Sequence, residues 1–231
     1  MSGSAVLLHQ PQDTAGRMRQ ALETRQVGRA LETLPALAGV LPGGGVRAGA
    51  SYAVEGSTAL VMALLAGPSA AGAWSGVVGM PAFGAEAAAG FGVDLDRLVL
   101  VPEPGREWLG VVATLVDALT VVVAAPPSTV SAAEASRLEA RIRRRGAVLI
   151  TVGRSWPRCE ARLRVGENSW DGLGSGHGHL VARRVTVTVT GRGTAARPHR
   201  TRLWLPDPAG RVRSAEPVRQ YDEGWRHEVA S

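Results

Sequence analysis

Five short runs of valine, leucine and isoleucine constrain this chain more than any other feature: "ASYAV" at 50–54, "WSGVV" at 74–78, "RLVLV" at 97–101, "LTVVVAA" at 119–125 and "AVLITV" at 147–152. Each is too short for a stable helix and nearly continuous in apolar character. Strands buried on both faces read this way, and they belong to a parallel sheet with helices packed on either side. The intervening segments supply the helices, at 57–66, 84–90, 106–118 and 132–145. Ser131 and Glu134 have the spacing of a capping box at the start of the last.

After 152 the pattern changes. "CEARLRV", "RRVTVTVTG" and "HRTRLWLPD" alternate, with Val185, Val187 and Val189 opposite Thr186, Thr188 and Thr190. These are expected to be half-buried antiparallel strands at one edge of the sheet, with "GRGTAARP" as a hairpin loop. Ahead of the first strand, Met18, Leu22, Val27 and Leu31 space out as an amphipathic helix. No periodicity follows Pro206. The expected organisation is an N-terminal helical segment at 1–34, an α/β core at 35–206 and a flexible tail at 207–231.

Every one of the 26 basic residues is arginine. Residues 1–130 carry 7 arginines against 10 acids, a balance of −3, and residues 131–231 carry 19 against 10, a balance of +9. The second half therefore suits a phosphate backbone or an acidic protein. Cys159 is the single cysteine, which excludes an internal disulfide and a multi-cysteine zinc site. No secretory leader pattern opens the chain, and the apolar run around 111–125 contains Asp117 and is too short to cross a bilayer. A cytoplasmic protein with no membrane partner is expected.

"SYAVEGSTALVMALLAG" sets a strand, a glycine and an apolar helix where a nucleotide-binding protein holds phosphate. A working phosphate loop, G-x-x-x-x-G-K-[ST], needs its lysine for the terminal phosphates and its hydroxyl for magnesium. Gly56 fits the second glycine and Thr58 the hydroxyl, but Ser57 replaces the lysine and Ser51 the first glycine. The strand at 119–125 ends in Ala124, Ala125 and Pro126 instead of a magnesium-binding aspartate. No carboxylate follows the second strand until Glu86, and "ITVGRSW" has no amide to sense a terminal phosphate. Hydrolysis, which depends on such charged positioning groups, is not expected, and neither is a cofactor.

The order of these motifs resembles the RecA core, and specifically the shortened, RecA-like ImuA family in its actinobacterial ImuA-prime branch. "LPGGGVRAGASYAVEGSTAL" is similar to the glycine-rich entry and first strand, "GFGVDLDRLVLV" to a later strand approach, and "VDALTVVVAA" stands in the place of the magnesium-binding strand. "ARLRV" and "RRVTVTVTGRG" resemble the late antiparallel strands, so the likeness covers about 35–195. It implies a RecA-like α/β core: a mainly parallel twisted sheet flanked by helices, with antiparallel strands at one edge. It further implies a non-catalytic accessory protein of damage-induced translesion synthesis. Its partners would be an inactive Y-family polymerase homologue of ImuB type and an error-prone C-family polymerase. The short stretch at 166–180 leaves little room for RecA-style DNA-binding loops. Two other functions stay open: a regulator binding RecA filament ends, and an ATPase with a nonstandard loop. In RecA-like proteins the N-terminal segment packs on a neighbouring subunit, a role open to Met18, Leu22, Val27 and Leu31, as is packing on this chain's own sheet.

Three further groups complete the expectations. Arg137, Arg141, Arg144 and Arg145 gather on one helix, either as a patch for DNA or an acidic partner or as a solvated face. Leu203, Trp204, Leu205, Tyr221 and Trp225 form the expected partner surface, the family placing partner binding in this region, although Trp204 would equally pack on its own core. His177 and His179 in "SGHGHL" are read as incidental to a glycine-rich loop.

Overall fold

The valine-rich runs become strands close to the expected positions, and what each side of them touches shows why. The computed structural model describes residues 28–153, 156–157, 159–173, 178–192 and 196–215. Within them β1 (Ser51–Glu55), β2 (Ser75–Val78), β3 (Leu98–Val101), β4 (Val121–Ala124) and β5 (Val148–Val152) pair in parallel. Successive residues of a strand face opposite sides. In β4, Val121 and Val123 enter one apolar cluster, and Val122 and Ala124 enter another. The first cluster includes α1 (Pro35–Ala38), α2 (Thr58–Ala70) and α3 (Ala85–Gly90); the second includes α4 (Trp108–Ala118) and α5 (Ala132–Arg145). A fully buried valine is worth about 1.5–3 kcal/mol over an exposed one, which is how strands of four residues hold.

The helix α2 is buried all round, from Leu60 to Ser69. It continues to Ala70, beyond the expected end at 66, and carries Pro68 in its last turn. A proline there disturbs only the final bonds, and packing offsets it. One contact in that packing needs a glycine: a side chain at Gly67 would lie 2.6 Å from the Glu32 carbonyl oxygen, where the segment before α1 crosses the helix. Leu31, on that segment, packs against the same cluster. The capping box at Ser131 and Glu134 forms as expected, and α5 ends on Gly146 in the left-handed conformation.

The second half completes a single sheet of order β3-β2-β4-β5-β1-β6-β7-β8-β9, with β6 (Ala161–Leu173), β7 (Gly178–Gly191), β8 (His199–Trp204) and β9 (Arg213–Ser214). The antiparallel edge is present, with one correction: β6 runs parallel to β1 and antiparallel only to β7. Alternation reports one buried face and is silent on a neighbour's direction. To reach the far side of β1, the chain returns across the sheet between Val152 and Ala161. Buried Trp156 lies on that return, in the cluster shared with α4 and α5.

The strand β6 is also longer than "CEARLRV". Ala161–Arg164 pair with Tyr52–Glu55, and everything beyond pairs with β7 alone, so a β-ribbon projects past the carboxyl end of β1. Gly166 and Glu167 make a bulge in it, between the pairs Val165–Val187 and Asn168–Val185. The stretch at 166–173 is thus strand. Past Pro206, Asp207 is buried and its carboxylate accepts from the N–H groups of Ala209 (2.9 Å) and Arg211 (2.8 Å), a turn that delivers β9 to the edge of β8. Of the stretch expected as a tail, Arg213 and Ser214 therefore pair into the sheet, and the turn before them is built on Asp207.

Candidate functional site

The turn after β1, where an α/β nucleotide-binding protein wraps phosphate, is two residues long. Only Gly56 and Ser57 join Glu55 of β1 to Thr58 of α2. Ser51, matched to the first glycine of a phosphate loop, is the first residue of β1, and Ser51–Val54 pair with Leu149–Val152 of β5. The backbone that would have to curl around phosphate is extended and flanked by β5 and β6. Gly56 adopts φ +83°, and a side chain there would meet the Val165 carbonyl oxygen at 3.0 Å, so β6 closes against the turn. The Ser57 hydroxyl accepts from the Leu60 N–H at 3.1 Å and so takes up one of the free donors of the helix start. Thr58 is exposed.

A carboxylate stands beside this turn. Glu55 accepts from Arg162 at 2.7 Å and from Arg164 at 2.9 Å, tying the end of β1 to β6. Partial burial raises its carboxyl, but the hydrogen bonds and charges of the two arginines together outweigh it, leaving the group below its ordinary value. The carboxylate engages both guanidinium groups, so neither stands free in place of the missing lysine. At the neighbouring strand ends, a side chain at Gly79 would lie 2.6 Å from the Ala125 carbonyl oxygen and 3.3 Å from Trp108 Nε1. The buried Trp108 ring thus packs beside the place where a magnesium-binding aspartate would project. Glu86 is exposed in the first turn of α3.

The arginine group of α5 divides. Arg141 donates twice to Asp117 of α4, at 2.8 and 2.6 Å, and Arg145 donates to the same carboxylate at 3.1 Å. The hydrogen bond from Arg141 is the main reason why the Asp117 carboxyl is lowered to about 2. These two arginines join α5 to α4 and are not a free patch. Arg137 reaches back to the Ala133 carbonyl oxygen at 3.4 Å, and Arg144 is exposed. The sequence did carry a signal for this: Asp117 is the lone acid in a long apolar run, and such an acid needs a partner.

The expected partner surface also divides. Leu203 and Leu205 are core residues with no exposure: Leu203 lies opposite Val185 of β7, and Leu205, just past the end of β8, donates its N–H to the Arg183 carbonyl oxygen and joins the same cluster. Trp204 points the other way, is half-buried, and has the Arg184 guanidinium over its ring at 5.1 Å. Tyr221 and Trp225 lie outside the described residues, as do Met18, Leu22, Val27 and His177. His179 is exposed on β7. Among the described residues, no group of three or more His, Cys, Asp or Glu is placed to hold a metal ion. Burial pushes the Cys159 thiol up, away from the reactive thiolate.

What local spacing did not reveal is the open face of β6, β7 and β8. The row Arg164–Thr188–Arg200 crosses three strands, the pair Thr186–Arg202 crosses two, and Arg184 lies opposite Ser169 and Trp204. All of these side chains are on the face opposite the valines. Arg200 and Arg202 are exposed and form no ion pair among the described residues. The alternation in "RRVTVTVT" and in "HRTRLW" encodes this face once the two are set in antiparallel register.

The model of a known family, described as the MT3502 N-terminal domain, matches residues 39–158, and so covers β1 to β5 with the short turn and the arginine helix, starting just after α1 and stopping before β6. Over 111 residues the chain is 33% identical to the uncharacterised protein Rv3395c of Mycobacterium tuberculosis, covering 48% of this chain and 54% of that protein. The chain thus spans about half the length of this curated relative. With more than half of its residues matched, the chain belongs to the MT3502 N-terminal domain family.

Proposed function

We propose that this protein is a non-catalytic, RecA-like accessory factor of damage-induced, error-prone translesion synthesis. In this reading it holds an inactive Y-family polymerase homologue of ImuB type and, through it, an error-prone C-family polymerase. The observation that carries the reading is the two-residue Gly56–Ser57 turn set into an otherwise complete parallel α/β sheet. The order of elements agrees with the resemblance: strand, glycine turn and apolar helix first, then parallel strands, then antiparallel ones. The turn has lost its room for phosphate, its hydroxyl caps a helix, and an arginine-clamped glutamate stands beside it. A fold kept without its charged chemistry serves by presenting surfaces, and catalysis of phosphoryl transfer is almost entirely charge and positioning.

The test uses the purified full chain with a purified ImuB-like protein. Sedimentation should show a stable complex, and a parallel assay should show no magnesium-dependent phosphate release above a mock preparation. ATP turnover that follows the protein and disappears in Thr58→Ala would replace this reading with that of an enzyme. Co-sedimentation with RecA filaments and none with the ImuB-like protein would favour a filament regulator.

A further inference from the structure

We propose that the open face of β6, β7 and β8 binds single-stranded nucleic acid, with Arg200 and Arg202 on phosphates and the hollow between Glu167 and Arg184 receiving a base. The face lies opposite the valine core, and no helix among the described residues packs over it in the two apolar clusters. Its middle strand presents Thr186 and Thr188, and its flanking strands present Arg164, Arg200 and Arg202. Residues two apart on a strand advance about 6.7 Å, and neighbouring strands lie about 4.8 Å apart, so the arginine positions recur at short intervals across the face. A polymer with one negative charge per unit suits such an array.

The acids on this face decide between nucleic acid and an acidic protein. Glu55 is held by Arg162 and Arg164, and Asp171 lies 3.4 Å from Arg184, which leaves Arg200 and Arg202 as the cations without a partner among the described residues. Glu167, in the bulge, lines a hollow of about 290 Å³ together with Ser169, Arg184, Thr186 and Arg202. A carboxylate in the hollow repels an acidic peptide, but it accepts well from the exocyclic amino group of a base. Arg184, lying over Trp204, offers a guanidinium against which a base can stack, as single strands do on aromatic and arginine planes. A duplex keeps its bases paired and stacked, out of reach of a hollow that takes a single base, whereas a single strand can turn one into it.

Fluorescence anisotropy of the full-length chain with a labelled 20-nucleotide oligo(dC), whose bases carry the exocyclic amino group, tests this, titrated at several salt concentrations. Two arginine contacts to phosphate on a single strand predict a log–log salt slope of about −1.4, and the double variant R200Q/R202Q should bind about ten-fold or more weakly, with a slope near zero. Both substituted positions are exposed, and a circular dichroism melt checks that the variant is folded. A wild-type slope near zero, or a folded variant that binds as tightly as the wild type, overturns the proposal. So does a poly-glutamate peptide of matched charge that competes as well as the oligonucleotide, or a duplex that binds as tightly as the single strand.

Discussion

At Gly56 a single atom separates the two readings of the turn. The residue sits at φ +83°, and an added Cβ would come within 3.0 Å of the Val165 carbonyl oxygen. Gly56→Ala should therefore destabilise the protein by about 1–3 kcal/mol, seen as a lower midpoint in urea at unchanged slope. Ser57→Ala removes the cap on Leu60 and should cost about 1 kcal/mol. Thr58→Ala, at an exposed position, should stay within about 0.5 kcal/mol of wild type. A magnesium-binding hydroxyl would show the opposite ranking in a nucleotide assay, with Thr58 the critical residue and Ser57 the minor one. The missing lysine was legible in the sequence, and so was a short turn, since a strand at 50–54 and a helix from 57 leave two residues between them; what holds the strand extended was not. Whether the residues between Ser51 and Gly56 curl or extend depends on β5 and β6, which pair with them from about 100 residues away in sequence.

Between elements, the contact of α4 with α5 rests on Asp117, Arg141 and Arg145, and it has a pH signature. A carboxyl lowered to about 2 in the fold, against an ordinary 3.8, contributes stability that is fully present above the ordinary value and is lost as pH falls through the folded one. Thermal melts of wild type and Asp117→Asn should differ by a constant interval from pH 7 to pH 5, and the interval should close as pH approaches 2. An interval independent of pH down to that point would remove the ion pair as its cause. On the return to β6, Trp156→Ala should cost about 3–5 kcal/mol as a large buried deletion. Trp156→Phe, which keeps an aromatic ring but loses part of the indole volume and the Nε1–H donated to Glu139 at 3.1 Å, should cost less, about 1–3 kcal/mol. Neither element was equally visible beforehand. The strand positions and the capping box follow from local pattern, so they were legible; the parallel direction of β6 and the pairing of Asp117 with α5 come from the crossing of distant segments, which no local spacing records.

For the whole molecule, the sheet has two unlike edges. β3 ends it on one side, with Leu100 exposed at 40% and Trp74 and Leu95 exposed nearby; β9 ends it on the other, two residues long and flanked by charge. Short, charged edges guard a sheet against pairing with other chains, and removing such a guard exposes the strand behind it. The strand behind β9 is β8, whose inward residues include fully buried Leu203, and Leu205 follows it. Two truncated chains isolate this effect, one ending at Pro206 and one at Ala215, since they differ only in the Asp207 turn and β9. The chain ending at Pro206 should melt several degrees below the other and should self-associate in sedimentation velocity as its β8 edge pairs with a second copy. Equal melting and equal sedimentation would show that β9 is dispensable. The same pair of chains bears on partner binding: a loss of ImuB-like binding seen with both points to residues after 215, whereas a loss seen only in the shorter chain reflects damage to the sheet that carries Trp204.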